Sequence, residues 1–160
     1  NVLSAYRGRM ISARALAQEA IRIEQEVIGE AVGSQDQIWA AHGGLNRINF
    51  SQDGTFDVHP IVIDPDRRKL LNSHMMLFFT GFSRIAAEIE QEKIANVASR
   101  KTQLRALGAM VDEGAQILQN RNGDITEIGD LLNEGWRLKK EMSDKVTTQA
   151  IDEIYDALEV

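Results

Sequence analysis

A carboxylate stands in the middle of an apolar helical face between Ala13 and Val27, and that placement limits how this chain can fold. At about 100° per residue, Ala13, Leu16, Ala17, Ala20, Glu24 and Val27 fall on one stripe, flanked by Ile21, Ile23 and Ile28. Arg22, Gln25 and Glu26 fall on the other side. Such a stripe buries itself against a neighbouring element, so Glu24 is expected to be buried with it. A carboxylate removed from water requires a donor, a cation or both. Ser12 is the expected N-cap and Gly29 the C-terminal exit, which predicts one helix between them.

Gly33 leads into Ser34-Gln35-Asp36-Gln37, the S-x-x-Q spacing of a capping box, opening a short helix through His42 that Gly43-Gly44 closes. Asp36 then lies in the first helical turn, twelve residues after Glu24. Each acid has an ordinary reading. Glu24 can cap a backbone group or pair with an arginine, and acids are common in first turns because the helix dipole favours them there. Together, an inward acid, a glycine-bounded turn and an acid at the next helix N-terminus can hold a divalent cation and a reacting hydroxyl close together.

Leu45 to Ser51 and Phe56 to Ile63 read as strands joined at Asp53-Gly54, with Pro60 restricted to an edge or a bulge. Pro65-Asp66-Arg67-Arg68 reads as the following loop. The run Met75-Met76-Leu77-Phe78-Phe79 is apolar throughout, as in a strand buried on both faces. From Phe82 onward the period is helical: Ile85, Ala86 and Ile89 in one helix; Leu104, Leu107, Val111 and Leu118 in a second. Asp124 and Glu127 open a third, carrying Ile128, Leu131, Leu132, Trp136 and Leu138, and Ile151, Ile154, Tyr155 and Leu158 mark a last one. Strands in the first half and helices in the second predict an α+β fold. Thr80-Gly81-Phe82-Ser83-Arg84, at a strand-to-helix junction, would gather hydroxyls, backbone N–H groups and a guanidinium suited to a phosphate or polyol, or would simply cap a helix. His42, His59 and His74 lack ligand spacing to one another.

With a net charge of −6 and no long basic run, the chain lacks the electrostatic footprint of a nucleic-acid binder and has little to offer an anionic membrane. No apolar run reaches the length of a spanning helix. The absence of cysteine rules out disulfides and thiolate metal sites within the sequence and fits a cytoplasmic protein. The first residue is Asn1, and the last stretch, Ala150 to Val160, is amphipathic without a stop signal. The 160 residues are therefore expected to be the middle of a longer protein.

These residues resemble the GHMP small-molecule kinases, the group that includes galactokinase, homoserine kinase, mevalonate kinase and phosphomevalonate kinase. The segment from Glu24 through Gly29 to Gly33-Ser34-Gln35-Asp36-Gln37 is similar to the stretch that supplies a magnesium-binding glutamate and ends in a catalytic Asp-Gln. Within the family the resemblance is to the sugar-phosphate branch typified by D-glycero-D-manno-heptose 7-phosphate kinase. It includes Gly43-Gly44-Leu45-Asn46, Phe79-Thr80-Gly81-Phe82-Ser83-Arg84, and Leu131-Leu132-Asn133-Glu134-Gly135-Trp136 with Lys139-Lys140. Ala31 departs from it, since that branch often has proline there.

The resemblance implies ATP- and magnesium-dependent transfer of a γ-phosphoryl group to a hydroxyl of a heptose 7-phosphate or similar sugar. Asp36 would be catalytic and Glu24 would hold the metal. Gly33, Gln37, Thr80, Gly81, Ser83 and Arg84 would bind the substrate. It further implies that residues 1–63 end an ATP-binding N-terminal domain and residues 64–160 form part of a C-terminal domain. The sequence leaves monomer and homodimer both open. The family's Gly/Ser-rich phosphate loop and its second Gly-rich motif are not in this sequence, so the nucleotide-binding residues are unknown and the 160 residues alone are expected not to catalyse transfer. The alternative expectation is a truncated, non-catalytic GHMP-like binding or interaction module.

Overall fold

The structure, a computed structural model, describes residues 2–30, 32–79, 100–142 and 146–158. The chain divides into two units, Asn1–Ile61 and Val62–Val160. Its elements are helices with one two-stranded antiparallel sheet among the described residues, compatible with the α+β expectation.

In the first unit a short helix α1 (Val2–Tyr6) precedes α2 (Ala13–Arg22), whose N-cap Ser12 accepts a hydrogen bond from the Ala15 backbone N–H at 3.1 Å. The helix continues into a π-wound turn, Ile23–Ile28, and stops at Gly29, whose left-handed backbone (φ 80°) costs glycine little. The N–H groups of Gly29 and Glu30 both donate to the carbonyl of Glu24, closing that end. One helical run from Ser12 to Gly29 is thus found, but its last turn is wider than an α-helix. That widening corrects the expected stripe. Ala17 is fully buried, whereas Ile23, Val27 and Ile28 are 40%, 63% and 59% exposed. An extra residue per turn rotates the side chains after Arg22 away from the face that Ala17 sets.

Helix α2 packs on α3 (Gln35–His42), and Ala17, Ile38 and Phe56 form the core of this unit with Ile21, Ala41, Ile48 and Val58 around them. Phe56 comes from a hairpin of β1 (Asn46–Phe50) and β2 (Phe56–Pro60), in register from Asn46 opposite Pro60 to Phe50 opposite Phe56. Asp53 stabilises the turn by accepting from the Thr55 hydroxyl at 2.7 Å and the Thr55 N–H at 3.0 Å, bonds that hold its carboxyl below the usual range. Pro60 falls at the end of its strand, where a missing N–H costs no interior ladder bond. The Arg14 guanidinium lies 4.8 Å from the Phe56 ring centre and 3.2 Å from Asp57, tying α2 to the hairpin.

The second unit begins with α4 (Pro65–Ser73), where the sequence was expected to form a loop. Asp64 accounts for the difference. Its Oδ1 accepts from the N–H groups of Asp66 and Arg67 at 3.0 and 3.4 Å, and Pro65 occupies the first helical position, where it has no intrahelical bond to lose. Asp64→Ala should destabilise the protein by about 1 kcal/mol. Urea denaturation will check this, and an unchanged midpoint would mean the cap is unimportant.

Met75 to Phe79 do not form the expected buried strand: the backbone is irregular, and Leu77 and Phe79 are 98% and 94% exposed. Among the described residues the second unit contains no strand to pair with this run, so β propensity has no ladder to act through. The helix expected around Ile85, Ala86 and Ile89 lies outside the described residues.

Helix α5 (Lys101–Gln119) packs against α6 (Glu127–Lys140) with glycines at the crossing. A Cβ on Gly114 would come within 3.3 Å of Leu131, and one on Gly135 within 3.4 Å of Met110. Ile117, Ile125, Leu138, Met142 and Val146 are buried. The expected opening at Asp124 is found in altered form: Asp124 Oδ1 accepts from the Thr126 N–H at 2.9 Å, and Glu127 begins the helix. The last helix α7 (Gln149–Leu158) is fastened to α6 through Tyr155, whose hydroxyl donates to Asn133 at 2.8 Å and whose ring centre lies 6.0 Å from that of Trp136.

Candidate functional site

Glu24 sits on the π-wound turn, half-buried, and Gln37 on α3 donates its amide Nε2 to Glu24 Oε2. The expectation that a partner must meet this inward acid is met by an uncharged donor. A hydrogen bond to an ionised acceptor is worth about 1.5–3 kcal/mol, which explains a second feature of the same side chain. Gln37 Oε1 is buried without a hydrogen-bond partner among the described residues. Turning the amide over would satisfy nothing, because it would press Oε1 against a carboxylate oxygen.

A second glutamine clasps the same connection. Gln25 Nε2 donates to the Val32 carbonyl at 2.8 Å and to the Ser34 hydroxyl at 3.2 Å. The capping box expected of Ser34 and Gln37 is therefore not formed. Ser34 makes no side-chain cap on α3, and both residues instead turn toward the preceding helix. Two long-range bonds to the helix ahead have displaced the local reciprocal pair. Gln25, assigned by the regular helical period to the far side, reaches this connection from within the π-wound turn.

Asp36 lies in the first turn of α3, exposed, and its carboxylate makes no hydrogen bond or ion pair among the described residues. Neighbouring residues on a helix point in different directions, so Gln37 faces inward to Glu24 while Asp36 stays open to solvent. The contact between Gln37 and Glu24 thus joins the segment carrying one acid to the helix carrying the other. Gly33 is exposed in the connection, and Ala31 lies outside the described residues. Thr80, Gly81, Ser83 and Arg84 also lie outside them. Gly43-Gly44-Leu45-Asn46 forms the exit of α3, where Trp39 Nε1 donates to the Gly44 carbonyl at 2.9 Å and Asn46 Nδ2 to the Gly43 carbonyl at 2.6 Å.

Glu24 offers hard oxygen donors, and its Oε1 has no partner among the described residues. Among the described residues no cluster of three ligating side chains could enclose a metal. That donor set fits magnesium, which keeps several waters and is bound through one or two carboxylates together with substrate phosphates. Among the described residues no helix is long and apolar enough to cross a membrane.

No protein-family model matches the chain. It is 29% identical over 141 residues to the D-glycero-alpha-D-manno-heptose 7-phosphate kinase of Campylobacter jejuni, a match covering 88% of this chain and 41% of that protein. It is 22% identical over 143 residues to the bifunctional fucokinase/GDP-fucose pyrophosphorylase of Arabidopsis thaliana, covering 85% of this chain and 13% of that one. The chain spans less than half the length of either relative. Along most of its own length it resembles sugar kinases, in keeping with the resemblance carried by the residues from Glu24 to Gln37.

Proposed function

We propose that this chain is part of an ATP- and magnesium-dependent sugar kinase that phosphorylates a hydroxyl of a heptose 7-phosphate or a related sugar. The observation that carries the reading is the similarity to two sugar kinases along most of the chain. The arrangement of Glu24, Gln37 and Asp36 supplies its chemistry.

In this reading Asp36 accepts the proton of the sugar hydroxyl as its oxygen forms a bond to the γ-phosphorus. The bond from that phosphorus to the bridging oxygen breaks, and ADP leaves with the electron pair. Glu24 would hold magnesium, which would supply charge neutralisation at the nucleotide phosphates. The transition state is loose, so positioning and electrostatics do most of the work and few side chains are needed. Gly33, Thr80, Gly81, Ser83 and Arg84 would take the sugar or its phosphate. We assign the first unit to the nucleotide-binding domain and the second to the C-terminal domain.

The test is a coupled ADP-release assay on the full product of the gene with heptose 7-phosphate, fucose and other sugars, together with nucleotide binding in the presence and absence of magnesium. Sugar-dependent ADP release that requires magnesium is expected. Magnesium-dependent nucleotide binding without transfer to any sugar would favour a binding module, and no nucleotide binding at all would sink the kinase reading.

A further inference from the structure

We propose that Gln37 is a positioning residue for Glu24 and does not bind the sugar. Its amide nitrogen is engaged by Glu24 Oε2, and its amide oxygen is buried, so neither polar atom is presented as an open contact for a sugar. This rests on the reading of Glu24 as the magnesium-holding acid.

Glu24 is carried on a π-wound turn, where the regular α-helical ladder gives way to wider bonding. A glutamate there has three side-chain torsions to fix. The bond from Gln37 fixes them by engaging one carboxylate oxygen and leaving the other for the cation. The anchor itself is firm, since Gln37 precedes fully buried Ile38 on a helix that packs against α2. The same bond therefore sets the place of the metal-holding oxygen relative to the helix that bears Asp36. Outer-shell partners that orient metal ligands typically matter by about 10–100-fold in metal affinity or activity.

A manganese(II) titration followed by electron paramagnetic resonance, with a non-hydrolysable ATP analogue present, tests this in the full product of the gene. Gln37→Met keeps the length of the side chain and removes the donor. It should weaken manganese binding about tenfold. In a Glu24→Gln background the same change should have no further effect, because there is no carboxylate left to orient. A purely structural role for Gln37 would instead weaken binding equally in both backgrounds. Thermal midpoints measured on the same proteins identify any loss due to unfolding, and Gln37→Leu repeats the cycle if Gln37→Met does not fold. Steady-state kinetics should show a raised KM for the magnesium nucleotide and an unchanged KM for the sugar. Unaltered manganese affinity in both donorless variants, or a raised sugar KM alone, would overturn the proposal and leave the kinase reading standing. Absence of manganese binding by the wild-type protein would remove both.

Discussion

If Asp36 is the base of the proposed sugar phosphorylation, Asp36→Asn is expected to lower kcat by about 10²–10⁴-fold, the usual contribution of a positioned general base. The replacement preserves shape and removes the ability to take a proton. Asp36 is exposed and its carboxylate makes no hydrogen bond or ion pair among the described residues, so the fold loses only its favourable charge at the start of α3, worth about 0.3–1 kcal/mol. A thermal midpoint close to that of wild type is therefore part of the prediction. Nucleotide affinity should also be unchanged, because the acid assigned to the metal is Glu24. This separates the two carboxylates experimentally: Asp36→Asn acts on kcat, whereas Glu24→Gln acts on magnesium dependence. Steady-state kinetics on the full product of the gene, with single-turnover measurements to isolate the chemical step, will read the effect. A turnover within a few-fold of wild type would mean that Asp36 is not the base.

Much of this arrangement was legible because it depends on local chemistry. Ser12 and Gly29 bound the first long helix as caps do, Asp53-Gly54 turns the hairpin, and the helical period after Arg100 yields helices where Leu104 and Trp136 mark them. What failed depends on a choice between local and long-range partners. Ser34 and Gln37 have the spacing of a capping box, but Gln25 and Glu24 compete for the same two side chains and win. Pattern cannot reveal this, since it requires knowing that α3 folds back on the preceding helix. The π-wound turn was hidden for a related reason: a period fitted to regular α-helix keeps Val27 on the buried stripe, and one extra residue in the turn moves it out. Met75 to Phe79 show the limit of composition, because an apolar run becomes a strand only when another strand offers it a ladder, and the described residues of the second unit hold none.

The largest stability effect should come from Arg67, which the sequence offered only as part of a loop. Its guanidinium is buried, and every bond it makes is to a backbone carbonyl: Nε to Leu118 at 3.1 Å, Nη1 to Gly123 at 2.8 Å and Nη2 to Ile117 at 2.5 Å. Ile117 and Leu118 belong to the last turn of α5, whose carbonyls have no intrahelical donor and carry the negative end of the helix dipole. Arg67 therefore serves as a C-terminal cap delivered from another helix, with a planar fork of donors that spans three acceptors. Arg67→Ala would leave the buried Ile117 carbonyl and the part-buried Leu118 and Gly123 carbonyls without this donor. It should destabilise the second unit by about 3 kcal/mol, the upper end of the cost of leaving a buried polar group unsatisfied. Arg67→Lys should recover only part, because an ammonium is a compact donor that cannot reach all three positions. Trp136 lies in the second unit and Trp39 in the first. Urea unfolding in a Trp39→Phe background therefore follows the affected unit through Trp136 fluorescence. A midpoint shift worth less than about 1 kcal/mol, which is ordinary for a surface change, would show that water replaces the guanidinium at these carbonyls and that the cap is dispensable.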